Sequence, residues 1–189
     1  MGLSLMASLN RVRIIGGRLK GRVVRFPAAH GLRPTPNRVR ETLFNWLGQD
    51  LSGQLTLDLY AGSGALALEA LSRGARLVVA VDRDAALIRA LAATAATFGA
   101  AGLETHAAEA RKFLLRETRR FDVIFLDPPF SSDEWEWLLP ACKTRLADAG
   151  CIYAEAARLL PPADGLAICR HGKAGNVHYH LLMHAPPSD

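Results

Sequence analysis

Hydrophobic residues follow two patterns along the chain, alternating singly in some stretches and recurring every three to four positions in others. The first alternating stretch, residues 12–26, carries basic residues between its apolar ones and is interrupted by Gly16 and Gly17. Such a pattern predicts a basic β-hairpin that turns at the Gly-Gly pair. One face of this hairpin can pack against the protein while the other meets phosphate.

The next periodic segment has helical spacing and follows a loop that ends near residue 34. Thr35 followed by Pro36 predicts an N-cap and then a proline at the first helical position. The helical stripe that follows is more typical of a core face than of a base-stacking surface; it consists of Val39, Leu43, Trp46 and Leu47.

From residue 55 onward, short apolar runs typical of strands alternate with longer segments typical of helices. Strands are predicted at 55–61, 76–82, 103–107, 121–127 and 151–155. Helices are predicted at 64–73, 84–98 and 110–119, with another after a capping box formed by Ser131 and Glu134. The last strands, 166–170 and 177–184, are separated only by a loop at 171–176, so we expect them to pair antiparallel.

This alternation predicts an α/β fold with a mostly parallel, doubly wound sheet. Ligands of such sheets bind beyond the carboxyl ends of the strands, where the strand order reverses. Asp58, Asp82 and Asp127 all fall at or just after predicted strand ends. The sequence therefore predicts that these three carboxylates lie along one edge of the sheet.

The glycine-rich turn after the first of these strands has the chemistry of a nucleotide-binding corner. Gly62 to Ala67 satisfies Gly-x-Gly-x-x-Ala, and Asp82 lies 20 residues beyond Gly62. Glycines let the backbone turn tightly beside a ligand, and a strand-end carboxylate can accept ribose hydroxyls. The motif fits both a nicotinamide dinucleotide and S-adenosylmethionine, and Asp82 alternatively serves as a helix N-cap.

Two acidic residues bear on that choice. Asp58, directly before the glycine loop, would crowd a pyrophosphate but suits the ammonium group of S-adenosylmethionine. Glu109, with the Ala110 N–H, either lies near the adenine or is a solvated acid at a helix start. The predicted cofactor-binding residues are Asp58, Tyr60, Ala61, Gly62, Gly64, Asp82, Arg83, Glu109 and Ala110.

The tetrapeptide Asp127-Pro128-Pro129-Phe130 is the most specific chemical signal. Two prolines after an apolar strand hold the backbone in an extended turn and expose carbonyls that no helix will use. Asp127 and the Pro128 carbonyl can accept hydrogen bonds from an exocyclic amine, and Phe130 can stack on its base. Fixed acceptors align the amine lone pair for methyl transfer and stabilise the charge that develops. We therefore predict that these four residues are catalytic.

Charge is distributed unevenly along the chain. It carries 23 Lys and Arg against 18 Asp and Glu, and nine of the basic residues lie in the first 40 positions, which contain no acid. A basic segment on a mildly acidic body predicts a phosphate-backbone partner. The predicted RNA-binding residues are Arg11, Arg13, Arg18, Lys20, Arg22, Arg33, Thr35, Arg38 and Arg40.

The other residue types exclude several classes of protein. Three scattered cysteines without a Cys-x-x-Cys spacing argue against a zinc site or disulfide framework and fit a reducing cytoplasm. His178, His180 and His184 alternate without an acidic or cysteine partner, so we expect ordinary strand positions and no metal. The chain has no apolar run long enough for a membrane span and no basic leader of a signal peptide.

Several motifs together resemble the RsmD family of bacterial methyltransferases, which modify the guanine N2 of 16S ribosomal RNA. The matching segments are Arg13-Ile-Ile-Gly-Gly, Gly31-Leu-Arg-Pro-Thr, Arg38-Val-Arg-Glu-Thr-Leu-Phe, Asp58-x-Tyr-Ala-Gly-Ser-Gly and Asp127-Pro-Pro-Phe. The resemblance implies a Rossmann-like class I S-adenosylmethionine-dependent methyltransferase fold, with a seven-stranded mostly parallel sheet and a C-terminal antiparallel hairpin. It also implies S-adenosylmethionine as cofactor and a substrate assembled in the small ribosomal subunit or its assembly intermediate.

The predicted organisation is a basic hairpin and helix extension at 1–50 and a catalytic domain at 51–189. We expect the protein to be cytoplasmic and monomeric. A DNA adenine-N6 methyltransferase shares the tetrapeptide, but this chain has little room for a target-recognition domain. A nicotinamide oxidoreductase shares the glycine motif but lacks a Tyr-x-x-x-Lys pair. An RNA-binding module without a cofactor would leave the glycine corner unexplained.

Overall fold

The computed structural model describes residues 9–28, 34–129, 134–161 and 163–186. These residues form a short 3-10 helix at Gly17–Leu19, nine strands and five α-helices. In chain order they are β1 (Leu9–Arg13), β2 (Val23–Pro27), α1 (Asn37–Trp46), β3 (Leu55–Asp58), α2 (Ala65–Ser72), β4 (Leu77–Asp82), α3 (Ala85–Thr97), β5 (Leu103–Ala107), α4 (Ala110–Arg116), β6 (Phe121–Leu126), α5 (Trp135–Lys143), β7 (Leu146–Ala156), β8 (Leu166–Ala174) and β9 (Val177–His184).

The body is a seven-stranded sheet in the order β5-β4-β3-β6-β7-β9-β8. Strands β3 to β7 are parallel, and β9 pairs antiparallel with both β7 and β8. The strand order reverses between β3 and β6, so the carboxyl ends of these two strands flank the switch point. The predicted α/β architecture with a C-terminal antiparallel hairpin is confirmed.

Hydrophobic side chains pack on both faces of the sheet because successive residues of a strand point to opposite sides. One core joins the β1–β2 hairpin, α1, α2 and α3 to residues such as Phe125 and Tyr153. The other core joins α4 and α5 to residues such as Leu57 and Ile124. The predicted extension 1–50 thus shares a core with the catalytic body, and its description as a separate unit stays a prediction.

The hairpin pairs as predicted, but its turn differs. Val12 lies opposite Val24 in an antiparallel register, whereas the connection spans residues 14–22 and contains the 3-10 helix. The predicted hairpin is thus present, but its connection is longer than the Gly-Gly pair. Gly17 has φ +67°, and a Cβ there would lie 1.9 Å from the Ser72 carbonyl oxygen. This glycine is needed because the connection lies directly against α2.

Two other boundaries differ from the prediction. Pro36, not Thr35, occupies the N-cap position of α1, and the Thr35 hydroxyl donates a hydrogen bond to Glu155 instead. Strands β8 and β9 pair as far as Ala174 opposite Val177. The expected loop at 171–176 is thus only a two-residue turn, in which Gly175 adopts φ +58°.

Candidate active site

The glycine loop between β3 and α2 is fixed by backbone geometry that only glycine accommodates well. Gly64 has φ +74°, and a Cβ there would lie 2.3 Å from Leu91 Cδ1. The Ala61 N–H donates to the Val81 carbonyl at 2.9 Å, and Gly62, at φ +49°, donates its N–H to Asp82 Oδ2 at 2.8 Å. The loop is therefore tied to the end of the neighbouring strand β4.

Asp82 organises this corner with both carboxylate oxygens. Besides accepting from Gly62, it accepts the Asp84 N–H on Oδ1 at 2.9 Å. The N-cap of α3 is Asp84, whose side chain accepts from the N–H groups of Ala86 and Leu87. The alternative that Asp82 caps this helix was wrong, while its contact with a ribose stays a prediction. Arg83 follows on the exposed surface.

Asp58 is buried directly beneath the glycine loop, with 3% of its surface exposed. Its Oδ2 accepts the Ala67 N–H of α2 at 3.1 Å. Burial raises the pKa of Asp58 to about 7, the Ala67 hydrogen bond opposes that rise, and the Asp82 charge adds to it. Asp58 thus occupies the helix N-terminus that binds the pyrophosphate in dinucleotide folds, which argues against a nicotinamide cofactor.

The remaining predicted cofactor residues lie at the same edge of the sheet or border it. The half-buried Tyr60 donates its hydroxyl to Glu134 Oε2 at 2.5 Å, which joins the loop after β3 to the start of α5. Glu109 occupies the N-cap position of α4 without a capping hydrogen bond, and it accepts from Lys112 Nζ at 3.1 Å. Buried Ala110 begins the helix. A contact of Glu109 and Ala110 with adenine stays a prediction.

The Asp-Pro-Pro segment leaves the sheet at the switch point. Asp127 follows the last residue of β6 and is partly exposed, Pro128 is buried, and Pro129 is exposed. Phe130 and Ser131 lie outside the described residues. Burial raises the pKa of Asp127 well above its ordinary value, and the charges of Glu155 and Asp58 add to that effect.

Glu155, which follows Ala154 on β7 beside Asp127, is not among the predicted site residues. It is 3% exposed, and its Oε1 accepts from Thr35 Oγ1 at 2.8 Å and from the Tyr153 hydroxyl at 2.9 Å. An acid at the end of an apolar strand was the available signal. Thr35 is itself buried in this contact, so its predicted role as an RNA-binding residue was wrong.

Four carboxyls thus line adjacent strand ends, and we call them the strand-end carboxylates. They are Asp82 on β4, Asp58 on β3, Asp127 after β6 and Glu155 on β7. Their hydrogen bonds within the described part of the chain come from neutral N–H and O–H groups. The arrangement clusters carboxyl groups that have no basic partner among the described residues, which suits a cationic ligand.

The basic hairpin presents its arginines outward because its apolar residues alternate inward. Val12, Val24 and Phe26 are buried. The predicted RNA-binding residues that are exposed are Arg11, Arg13, Arg18, Lys20, Arg22 and Arg38, and Arg25 is exposed beside them. Arg33 lies outside the described residues. Six of these seven residues lie between positions 11 and 25, on the hairpin and its connection.

Arg40 is the exception, and its predicted contact with RNA was wrong. Its side chain has no exposed surface and forms an ion pair from Nη1 to Glu69 Oε1 at 2.7 Å. Glu69 also pairs with Arg73 and accepts the Ile15 N–H at 2.6 Å. We call Arg40, Glu69 and Arg73 the buried ion triad; it fastens α1 and the hairpin connection to α2.

Within the described residues, no group of three or more His, Cys, Asp or Glu side chains is arranged to hold a metal ion. His180 is buried, with Nδ1 3.2 Å from the Ala154 carbonyl oxygen and Nε2 accepting the Leu160 N–H. His171 and His178 stack near the surface of the C-terminal hairpin. The same residues contain no helix that is long and apolar enough to cross a membrane.

Comparison with known proteins places this site in a family context. The family model described as "Conserved hypothetical protein 95" matches residues 12–183. The chain is 39% identical over 179 residues to ribosomal RNA small subunit methyltransferase D of Escherichia coli K12, covering 92% of this chain and 90% of the relative. It is 40% identical over 181 residues to the protein of the same name from Haemophilus influenzae, covering 91% and 93%.

A solved structure, the Escherichia coli protein yhhF, superposes with a TM-score of 0.83 at 36% identity and covers 93% of this chain and 98% of its own. The fold is that of class I methyltransferases, as the sheet order and the glycine corner indicated. A family model that matches nearly the whole chain, with relatives of similar length, establishes that the chain belongs to the RsmD family.

Proposed function

We propose that this chain methylates ribosomal RNA of the small subunit, transferring a methyl group from S-adenosylmethionine to the exocyclic N2 of a guanine. The observation that carries the proposal is the row of strand-end carboxylates beside a glycine loop. The names of the relatives indicate ribosomal RNA of the small subunit as the substrate. The resemblance to the RsmD family indicates guanine N2 as the atom that is methylated.

The residues present fit S-adenosylmethionine, which when bound supplies an activated methyl group on a positively charged sulfur. Asp58 offers a buried carboxyl near the loop for the ammonium end, and Asp82 borders the loop at the position of a ribose. Gly64 keeps the backbone clear because no Cβ fits beside Leu91. Glu109 and Ala110 would border the adenine.

Asp127 and the Pro128 carbonyl would hold the amine, with Phe130 stacked on the flipped base. Two fixed acceptors for the N–H groups orient the nitrogen lone pair and stabilise positive charge as it develops there. Because its pKa is raised, Asp127 is a better proton acceptor than an exposed aspartate. It would therefore take the proton that the methylated nitrogen releases.

The outward arginines of the hairpin would bind phosphates of the RNA. Arg11, Arg13 and Arg25 share the exposed face of a hairpin that the buried ion triad holds against α2. A basic surface held rigidly in this way would orient the RNA relative to the Asp-Pro-Pro-Phe segment. Because it binds phosphates, the affinity for RNA should fall as the salt concentration rises.

The test is methyl transfer from labelled S-adenosylmethionine, followed by identification of the modified nucleoside by mass spectrometry. Substrates are small ribosomal subunits from cells lacking this enzyme, naked 16S RNA and duplex DNA. We expect N2-methylguanosine from the subunits and no product with an Asp127→Asn variant. N6-methyladenine from DNA, or no product from any substrate, would contradict the proposal.

A further inference from the structure

Asp127 and Glu155 form a pair of neighbouring carboxyls at the switch-point edge. Leu126 and Ala154 are partners in the parallel register of β6 and β7, so the next residue on each strand is one of these acids. Both lie on the face that carries Phe125 and Tyr153, because alternate residues of a strand share a face. This proximity agrees with the raised pKa of Asp127, to which burial contributes most and the Glu155 charge adds.

Glu155 is held through one of its two oxygens. Thr35 and Tyr153 both donate to Oε1, and the Tyr153 side chain is itself completely buried. Among the residues that the structure describes, no donor is bonded to Oε2. The carboxylate therefore has a fixed orientation and retains an oxygen with which to accept a hydrogen bond from a ligand.

We propose that Glu155 determines base specificity by accepting the N1–H of the target guanine while Asp127 and the Pro128 carbonyl hold N2. This inference rests on the proposed function. The pairing edge of guanine carries N1–H and the N2 amine side by side, so it offers donors to two neighbouring carboxylates. Adenine carries an unprotonated N1 beside its amine, and a carboxylate facing that nitrogen repels it.

The carboxylate of Glu155 would thus favour guanine over adenine as the target base, although adenine-N6 enzymes use the same tetrapeptide. A site that hydrogen-bonds a donor of its substrate rejects an analogue lacking that donor by about 10⁴-fold to 10⁵-fold. The matching analogue is 2-aminopurine, which keeps the 2-amine but has no proton on N1. It keeps the amine that Asp127 holds and removes the N1 proton together with O6, so the Glu155 variants are needed to assign the loss to the N1 contact.

The experiment compares two RNA substrates after the methylated guanine has been located by mass spectrometry. One substrate is unmodified, and the other carries 2-aminopurine at that position, introduced by ligation of a synthetic oligonucleotide. We expect wild-type protein to methylate guanine at least about 10³-fold faster than 2-aminopurine. Glu155→Gln keeps a carbonyl oxygen for Thr35 and Tyr153 but presents an amide donor, so the ratio should fall to within about tenfold.

A second variant covers the case in which Glu155→Gln does not fold. Tyr153→Phe removes one of the two donors to Glu155 Oε1 and leaves this carboxylate less firmly oriented. The ratio of the methylation rates of guanine and 2-aminopurine should therefore fall by about tenfold. In both variants we expect an S-adenosylmethionine affinity within about twofold of wild type, measured by calorimetry.

Equal methylation of both substrates by wild-type protein would overturn the role of Glu155, as would variants that keep the wild-type ratio. Failure of the proposed function itself is distinguishable. In that case the wild-type protein would produce no N2-methylguanosine on unmodified ribosomal RNA.

Discussion

Two regions of this molecule contain clusters of charged side chains that are largely removed from solvent. In one cluster opposite charges are paired, and in the other carboxyl groups lie next to one another. In the buried ion triad, Glu69 lies between two arginines, and the Ile15 N–H donates to the same carboxylate. Among the strand-end carboxylates, like charges lie side by side with neutral donors as their described partners. The first region balances its charge internally, whereas the second holds carboxyl groups without a basic partner among the described residues, a partner that a cationic ligand can provide.

The pKa shifts reflect this difference. In the triad, burial raises the pKa of Glu69 and lowers that of Arg40, and the opposite charge of the partner counteracts each shift. At the strand ends, burial and the neighbouring carboxylates raise the pKa of Asp127 together. The comparison teaches that burial alone does not mark a functional charge; burial without a charge partner does.

The largest expected effect comes from breaking the triad. Glu69→Ala leaves two buried arginines without their carboxylate, which should lower the free energy of unfolding by about 3–5 kcal/mol. The measurement is urea unfolding, with Asp148→Ala as control because that surface partner of Arg120 is almost fully exposed. A loss below about 1 kcal/mol, the range of surface ion pairs, would contradict the structural role.

The next effect comes from the strand-end side of the comparison. Asp127→Ala removes a fixed acceptor for the amine and should lower kcat at least about 10²-fold to 10³-fold. Stability should be unchanged or increased, because the substitution removes one of the neighbouring like charges at the strand ends. Turnover is measured by methyl transfer, and cofactor affinity by calorimetry should stay within a few-fold. Retained turnover in this variant would contradict its catalytic role.

The protonation of Asp58 makes the stability of the folded protein depend on pH. Its pKa of about 7 in the folded protein exceeds that of an unfolded aspartate, near 3.9, so the native state holds the proton more tightly. This stabilising contribution is complete below about pH 4 and is lost as the pH rises through about 7.

A cation near Asp58 favours the ionised form, so binding of S-adenosylmethionine below pH 7 should release a proton. The affinity should improve by up to about tenfold per pH unit towards pH 7 and then level off. Calorimetry from pH 5.5 to 8.5 measures this, and Asp58→Asn should remove most of the dependence. A wild-type affinity that does not change between pH 5.5 and 7 would refute the link.

The smallest expected effect concerns the exposed arginines of the β1–β2 hairpin, which the buried ion triad fastens to α2. Replacing Arg11, Arg13 and Arg25 with glutamine should weaken RNA binding and lower the salt slope by about 0.7 for each lost phosphate contact. Fluorescence anisotropy of a labelled 16S RNA fragment at several salt concentrations measures both. The matched control is Arg120→Gln, an exposed arginine on the catalytic body. An unchanged slope in the triple variant would place the RNA elsewhere.

The sequence by itself determined the α/β architecture and the row of acids at the strand ends. Alternating periodicities fix the order of strands and helices, and parallel strands bring their carboxyl ends to one edge. For that reason Asp58, Asp82 and Asp127 could be placed together from local pattern alone. The glycine loop was equally accessible, since Gly62 and Gly64 adopt positive φ that few other residues tolerate.

Only the tertiary structure decided which charges face the solvent and which are buried. Arg38 and Arg40 stand two positions apart, yet one is exposed and the other completely buried, because its partner Glu69 belongs to a distant helix. Glu155 likewise joined the candidate site through Thr35, 120 positions earlier. Local pattern records periodicity along the chain, whereas these roles depend on contacts between segments that meet only when the chain folds.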